Sequence, residues 1–480
     1  MNKQDLGKLL FISFPRGISE KHMALIRKIR PAGVLLQPSN MSSMSELQVN
    51  MERLHELIDE GIKLLISSDH EGGQLETIPG VAVSPGNRAI GSCGIDSLSA
   101  EYGVYLGRLL RDLGFNMLFA PVLDVHAENS NAVTGLRAYS QNAQEVSQFG
   151  ISFLQNLQRE GVLGTTKHFP GHGKATQDSH YEIPVIHDLD ESDLLPFKEA
   201  VSNGARGIMT AHILCPTLDP DNVATLSRSI LNDLLREEIG FDGLIISDAI
   251  EMKAINDNFS PEKVVQRFFS ASGDILLLGD ADEMLQPYHD ALITAYESGA
   301  LSRALIEESL ARIQDIQDHY VSSDYGARFL CEIAEKAIVA NLKERVDAEQ
   351  VVFVVPRGNP LSPSDTSDKD YPEYENVISS LFDTPRLLHY DVHSGELDSD
   401  PCRSDLIVSF VVDSFSFGGQ LSMHKRLKDY TDSVIYVILR DHRDIHHYSS
   451  ESYVATTSTK AISVYYALKT IREHMNLRPS

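Results

Sequence analysis

Gly164-Thr165-Thr166-Lys167-His168, continuing into Phe169-Pro170-Gly171-His172-Gly173, reads as a strand that runs directly into a titratable loop. The apolar lead-in ends in a basic pair, and two glycines let the backbone turn tightly beyond it. Asp178-Ser179-His180 comes a few residues later. In extended backbone, residues two apart point the same way, so Asp178 can orient the His180 ring and stabilise its charged form, leaving the other nitrogen to trade a proton. Taken singly, each histidine reads as a surface polar residue in a glycine-rich loop. Lys167, His168, His172 and His180 in one short run point instead to chemistry.

Outward from this strand, the first two thirds of the chain alternate short apolar runs with longer amphipathic ones, the pattern of repeated βα units around a parallel sheet. The expected strands are Leu9 to Phe14, Gly33 to Gln37, Leu64 to Ser68, Met117 to Val122, Gly164 to His168, Gly207 to Ala211, Leu244 to Ser247 and Ile275 to Leu278. Between them, Ser43 to Glu60, Ser97 to Asp112, Ala143 to Arg159, Leu194 to Asn203, Ser229 to Glu238 and Pro261 to Ala271 carry apolar residues at helical spacing. Eight such units predict an α/β fold of the (β/α)8 TIM-barrel type, with its site in the loops at the strands' C-terminal ends.

The residues just past the strands fit a site of that kind. They are Asp69-His70-Glu71-Gly72-Gly73 after the third, Asp124 and later Arg137 after the fourth, Lys167 and His168 at the fifth, His212 after the sixth, and Asp248 with Glu251 after the seventh. Asp69, Lys167, His168 and Asp248 are expected to converge on one mouth. Glu71, Asp124 and His212 read rather as helix caps or barrel-end residues.

Residues 1–325 are expected to form the barrel and 326–345 a helical linker, the charged helical region running from Ile306 to Lys343. Residues 346–480 restart the pattern as a smaller α/β layered domain, with strands Val351 to Val355, Leu406 to Val412 and Val434 to Leu439, and helices Gln420 to Lys428 and Lys460 to His474. Asn359 to Glu375, rich in Pro, Ser and Asp, reads as an exposed loop. Gly418-Gly419 stands alone and makes no phosphate loop.

With 42 Lys and Arg against 68 Asp and Glu, a net charge of -26 and no basic block, nucleic acid is an unsuitable partner. No run is long and apolar enough to span a bilayer, and the N-terminal apolar stretch lacks a small-residue cleavage site, so a cytoplasmic protein with no membrane partner is expected. Cys93, Cys215, Cys331 and Cys402 lack paired spacing, which fits reduced thiols rather than a disulfide framework or a zinc site.

Lys167 to Gly173, Asp178-Ser179-His180 and Ser247-Asp248-Ala249-Ile250-Glu251-Met252 together resemble glycoside hydrolase family 3, in its β-N-acetylglucosaminidase branch. Asp69 to Gly73, and Ala120-Pro121-Val122 with Arg137, fit the same branch in order and spacing. The resemblance implies a retaining hydrolase that removes terminal non-reducing β-linked N-acetylglucosamine without metal or organic cofactor. It implies Asp248 as nucleophile, His180 backed by Asp178 as acid and base, and Asp69, Arg137, Lys167 and His168 as holders of the sugar hydroxyls. Where the branch commonly has arginines after the double glycine, this chain has Gln74 and Thr77, which bears on the outer subsite and on the aglycone. The C-terminal domain is expected to be structural, substrate-shaping or engaged in a homodimer.

Four rival readings stand beside it. A phosphorylase of the same branch would use phosphate in place of water, because an imidazole base repels an incoming anion less than a carboxylate does. A β-glucosidase or a silent sugar-binding protein would use the same pocket. A metal-dependent hydrolase would use His126, His168, His172, His180 and Asp248 as ligands, although their spacing matches no ordered ligand set.

Overall fold

The computed structural model describes residues 3–127, 134–176, 183–322, 324–343, 345–348, 350–357, 372–401, 403–412, 414, 419–439, 444–456, 458 and 460–476. The chain divides into two compact units, Met1–Gly17, Ala24–Ser42 and Leu54–Gly326 in the first, and Ile18–Met23, Ser43–Arg53 and Ala327–Ser480 in the second.

In the first unit the strands are β1 (Leu10–Ile12), β2 (Gly33–Leu35), β3 (Leu65–Ser67), β4 (Met117–Leu118), β5 (Leu163–Phe169), β6 (Gly207–Thr210), β7 (Leu244–Ile246) and β8 (Leu276–Leu278). Each is buried along its whole length, as expected for parallel strands covered on both faces. They form two parallel sheets, β3-β2-β1-β8 and β4-β5-β6-β7. Hydrogen bonds also cross both seams. Ser247 N donates to Ile275 O at 2.9 Å between β7 and β8, and Phe119 N donates to Ser68 O at 3.1 Å beyond β3 and β4. Each of these eight strands therefore has a hydrogen-bonded neighbour on either side, in chain order.

All eight strands lie where the sequence places them, mostly a residue or two shorter. The helices agree as well, for a physical reason visible in Ala143–Arg159. Its Val146, Phe149, Phe153, Leu154 and Leu157 bury one stripe, and the Asn142 side chain caps it by accepting from the amides of Gln144 and Glu145. Ile306 to Lys343 is not one helical region: helices Arg303–Tyr320 and Arg328–Lys336 flank a break that contains Gly326, and strand β9 (Val339–Asn341) comes after them.

The second unit also contains β10 (Val346–Asp347), β11 (Val351–Arg357), β12 (Arg386–Asp391), β13 (Leu406–Val411), β14 (Val434–Ile438), β15 (Ser452–Ala455) and β16 (Met475–Asn476). Its main sheet runs β12-β11-β13-β14-β15-β9, parallel except at β9. The 326–345 segment, expected as a linker, thus holds one helix and the edge strand of this sheet. Strands β12 and β15 escape the sequence reading because Arg386-Leu-Leu-His-Tyr-Asp391 and Ser452-Tyr-Val-Ala455 are short and mixed in polarity. Of the loop expected at 359–375, residues 359–371 lie outside the described residues, and helix Pro372–Leu381 begins earlier than that loop was expected to end. Within this unit Arg53, 1% exposed, donates to Ser380 O at 2.9 Å and pairs with Glu20 at 3.1 Å, which joins the two N-terminal stretches to the rest.

Candidate active site

The loops after β3, β4 and β5 meet in one buried ion network. Lys167, at the end of β5, is 2% exposed and lies 2.9 Å from Asp69 and 2.7 Å from Glu71. Glu71 also takes a two-pronged bond from Arg137, from Nε at 2.9 Å and Nη2 at 2.7 Å. Burial opposes ionisation of Glu71, but Arg137 and Lys167 outweigh it and hold the carboxyl at about 2. Burial likewise opposes the Lys167 charge, and Asp69 and Glu71 raise its pKa in spite of it. Arg137 is raised in the same way by Glu71.

Asp124 organises the loop after β5. Its Oδ2 lies 2.7 Å from His168 Nδ1, and its Oδ1 accepts from the amides of His168 at 3.2 Å and His172 at 2.7 Å. Burial disfavours its charge, but His168 and these bonds hold the carboxyl at about 2. His168 Nε2 is in turn 3.4 Å from Arg137 Nη2, so the two networks touch. At the C-terminal end of β5 and at the start of this loop the Lys167–His168 and Phe169–Pro170 peptides are cis, and the β5 register against β6 shifts between Thr166 and Phe169. Gly171 sits at φ 132°, and a Cβ on Gly173 would fall 1.8 Å from Val125 O, so a side chain at Gly173 would collide with backbone.

Asp248, just past β7, is half-buried and accepts from the Ala249 amide at 2.8 Å. Burial works against its charge, but His168, His212, that amide and Lys167 together lower its pKa. Its neighbour Glu251 behaves in the opposite way. It accepts from Gly279 N at 2.9 Å, and burial raises its pKa. His212, after β6, places Nδ1 2.8 Å from Thr225 Oγ1 and Nε2 3.0 Å from Ala249 O. One ionised carboxylate therefore faces several cationic or hydrogen-donating groups, an arrangement suited to an oxocarbenium-like centre that a carboxylate attacks.

Two matches decide the family. The model of the glycosyl hydrolase family 3 N-terminal domain covers residues 2–316, and that of the β-N-acetylglucosaminidase C-terminal domain covers residues 349–471. The chain belongs to glycosyl hydrolase family 3. The crystal structure of the β-N-acetylglucosaminidase from Thermotoga maritima superposes with a TM-score of 0.82 at 33% identity, covering 98% of this chain and 100% of that one. Zinc-bound CbsA from Thermotoga neapolitana gives 0.83 at 33% identity, covering 98% and 99%. β-Hexosaminidase A of Pseudoalteromonas piscicida is 32% identical over 323 residues, 61% of this chain and 54% of that protein, so this chain spans about half of that relative's length.

Of the residues expected in this family 3 site, Asp69, Arg137, Lys167 and His168 form one network, and Asp248 is coupled electrostatically to Lys167 and His168. Asp178 and His180 lie outside the described residues. Glu71, Asp124 and His212, expected as caps or barrel-end residues, are instead woven into the site. The signal that marks Asp69 and Asp248, a polar residue directly after a strand, marks His212 as well, whereas Glu71 and Asp124 come two or three residues past their expected strands. The partners that tie them to the site, Arg137, His168 and Ala249, lie 66, 44 and 37 residues away in sequence. Thr77, at an arginine position of the branch, turns inward. Its hydroxyl lies 2.7 Å from Ser68 Oγ, and its amide donates to His70 Nδ1 at 3.0 Å. Gln74 is exposed. Among the described residues no group of three or more His, Cys, Asp or Glu side chains is placed to hold a metal ion.

Proposed function

We propose that this family 3 glycosidase removes terminal non-reducing β-linked N-acetylglucosamine by double displacement, with Asp248 as nucleophile and His180, oriented by Asp178, as acid and base. The observation that carries the reading is Asp248 itself, a carboxylate past the end of β7 kept ionised among His168, His212 and Lys167. It attacks the anomeric carbon while His180 gives its proton to the departing oxygen, leaving a glycosyl-enzyme. His180 then takes a proton from water, which attacks the same carbon and frees the sugar with its configuration retained. Asp69, Arg137, Lys167 and His168 hold the hydroxyls through charged, directional bonds that strengthen in the transition state.

Residues 1–325 would form a closed (β/α)8 barrel that carries this chemistry, with 326–345 leading out of it and 346–480 forming the C-terminal domain. The hydrogen bonds across both sheet seams support closure. The same reading makes the protein cytoplasmic and independent of metal and organic cofactor, with a carbohydrate as its partner, nucleic acid excluded by the charge, and a homodimer compatible. No helix among the described residues is long and apolar enough to cross a membrane.

Turnover of an aryl β-N-acetylglucosaminide against the aryl β-glucoside, with and without phosphate and EDTA, tests the proposal. Preference for the acetamido sugar, indifference to both additives and abolition by Asp248→Ala are expected. Release of sugar 1-phosphate under phosphate stimulation would replace water with phosphate as acceptor. Loss of activity on chelation would overturn the metal-free mechanism.

A further inference from the structure

His212 is wholly buried, and its hydrogen bonds fix more than its position. Its Nε2 lies 3.0 Å from Ala249 O, and a carbonyl only accepts, so Nε2 carries a proton. On the other side, Nδ1 lies 2.8 Å from Thr225 Oγ1. The single hydroxyl proton of Thr225 points to Ala211 O at 2.9 Å, and Thr210 Oγ1, 2.8 Å away, can donate into the same oxygen. With that proton committed to a buried carbonyl, Thr225 Oγ1 meets the ring as an acceptor, and Nδ1 is a second donor. A neutral ring would have to take the Thr225 proton away from Ala211 O. With both nitrogens protonated, each hydrogen bond in this run has a donor and an acceptor.

We propose that His212 is held as an imidazolium by the Thr225 hydroxyl and the Ala249 carbonyl, and that this fixed positive charge keeps the neighbouring Asp248 ionised and ready to attack. The inference rests on the reading of Asp248 as nucleophile and makes His212 a positioning residue, acting through that carboxylate. A buried cation loses solvation, and Asp248 is the counter-charge that offsets the loss. Among the groups set around His212 are Asp248 and the Ala249 carbonyl past β7, Thr210 at the end of β6, and Thr225. Asp248 in turn faces His168 and Lys167 from β5, and Glu251.

The full-length protein labelled with 15N-histidine gives the protonation state directly, the His212 signals being those that vanish in His212→Gln. Both ring nitrogens are expected to be protonated at neutral pH. Thr225→Val removes the acceptor, so the ring should become singly protonated, and the acid limb of kcat/KM should climb by about one pH unit or more as Asp248 loses its counter-charge. Thr225→Ser should restore both signals, and thermal melts show whether each variant is folded. A singly protonated His212 in the wild type, or a folded Thr225→Val whose acid limb stays in place, overturns the inference while leaving Asp248 its role. If a fluorinated N-acetylglucosaminide labels some other residue of the wild type, the nucleophile assignment and the inference fall together.

Discussion

Lys167 keeps its charge at 2% exposure because Asp69 and Glu71 face it, and Glu71 keeps its own because Arg137 and Lys167 face it. Each of these ions is tolerable in the interior only while the others are present. Removing the central carboxylate by Glu71→Ala should therefore cost about 3–5 kcal/mol of stability, since two buried cations then share much less negative charge. Chemical denaturation of the variant measures the loss. Glu71→Gln should fall between wild type and Glu71→Ala, because it keeps a hydrogen-bond acceptor without the charge. A loss under about 1 kcal/mol, the usual range of exposed pairs, would mean that water screens the network.

At the scale of elements, β5 and its loop carry the site, and Gly173 allows the loop to pass the Val125 carbonyl. A methyl group at Gly173 would have to displace backbone, so Gly173→Ala should lower stability by roughly 1–3 kcal/mol. It should lower kcat/KM as well, because the His168 and His172 amides move off Asp124. Steady-state kinetics beside a melting curve checks both. The element itself was legible in the sequence, since apolar runs of the right length punctuated by helical periodicity give away all eight strands of the first unit. The residues just past each strand were legible only in part. Asp69 and Asp248 could be read from their place, whereas the roles of Asp124 and Glu71 depend on residues 44 and 66 positions away. No local pattern encodes which loop a carboxylate will reach across to. The edge strands β9 and β12 and their inner neighbour β15 were hidden for a simpler reason, because none of these short strands carries a long unbroken apolar run.

For the whole molecule, the same buried carboxylates set a pH dependence. Glu71 and Asp124 both sit at about 2 in the fold, against ordinary values of 4.5 and 3.8. Between those values the unfolded chain binds more protons than the native one, so stability rises with pH there. Their contribution is complete above about pH 5 and should disappear as the pH falls toward 2, with the melting temperature dropping across that window. Replacing Glu71 with glutamine should flatten the slope. A slope identical to wild type would show that other groups govern acid unfolding.

The central claim, a glycosyl-enzyme on Asp248, is tested most directly by trapping it. The protein is incubated with a fluorinated N-acetylglucosaminide bearing a good leaving group, digested, and mapped by mass spectrometry. One added sugar on the peptide containing Asp248, absent from Asp248→Ala, is the predicted result. A label on any other residue, or turnover of the analogue with inverted configuration and no adduct, would contradict the account.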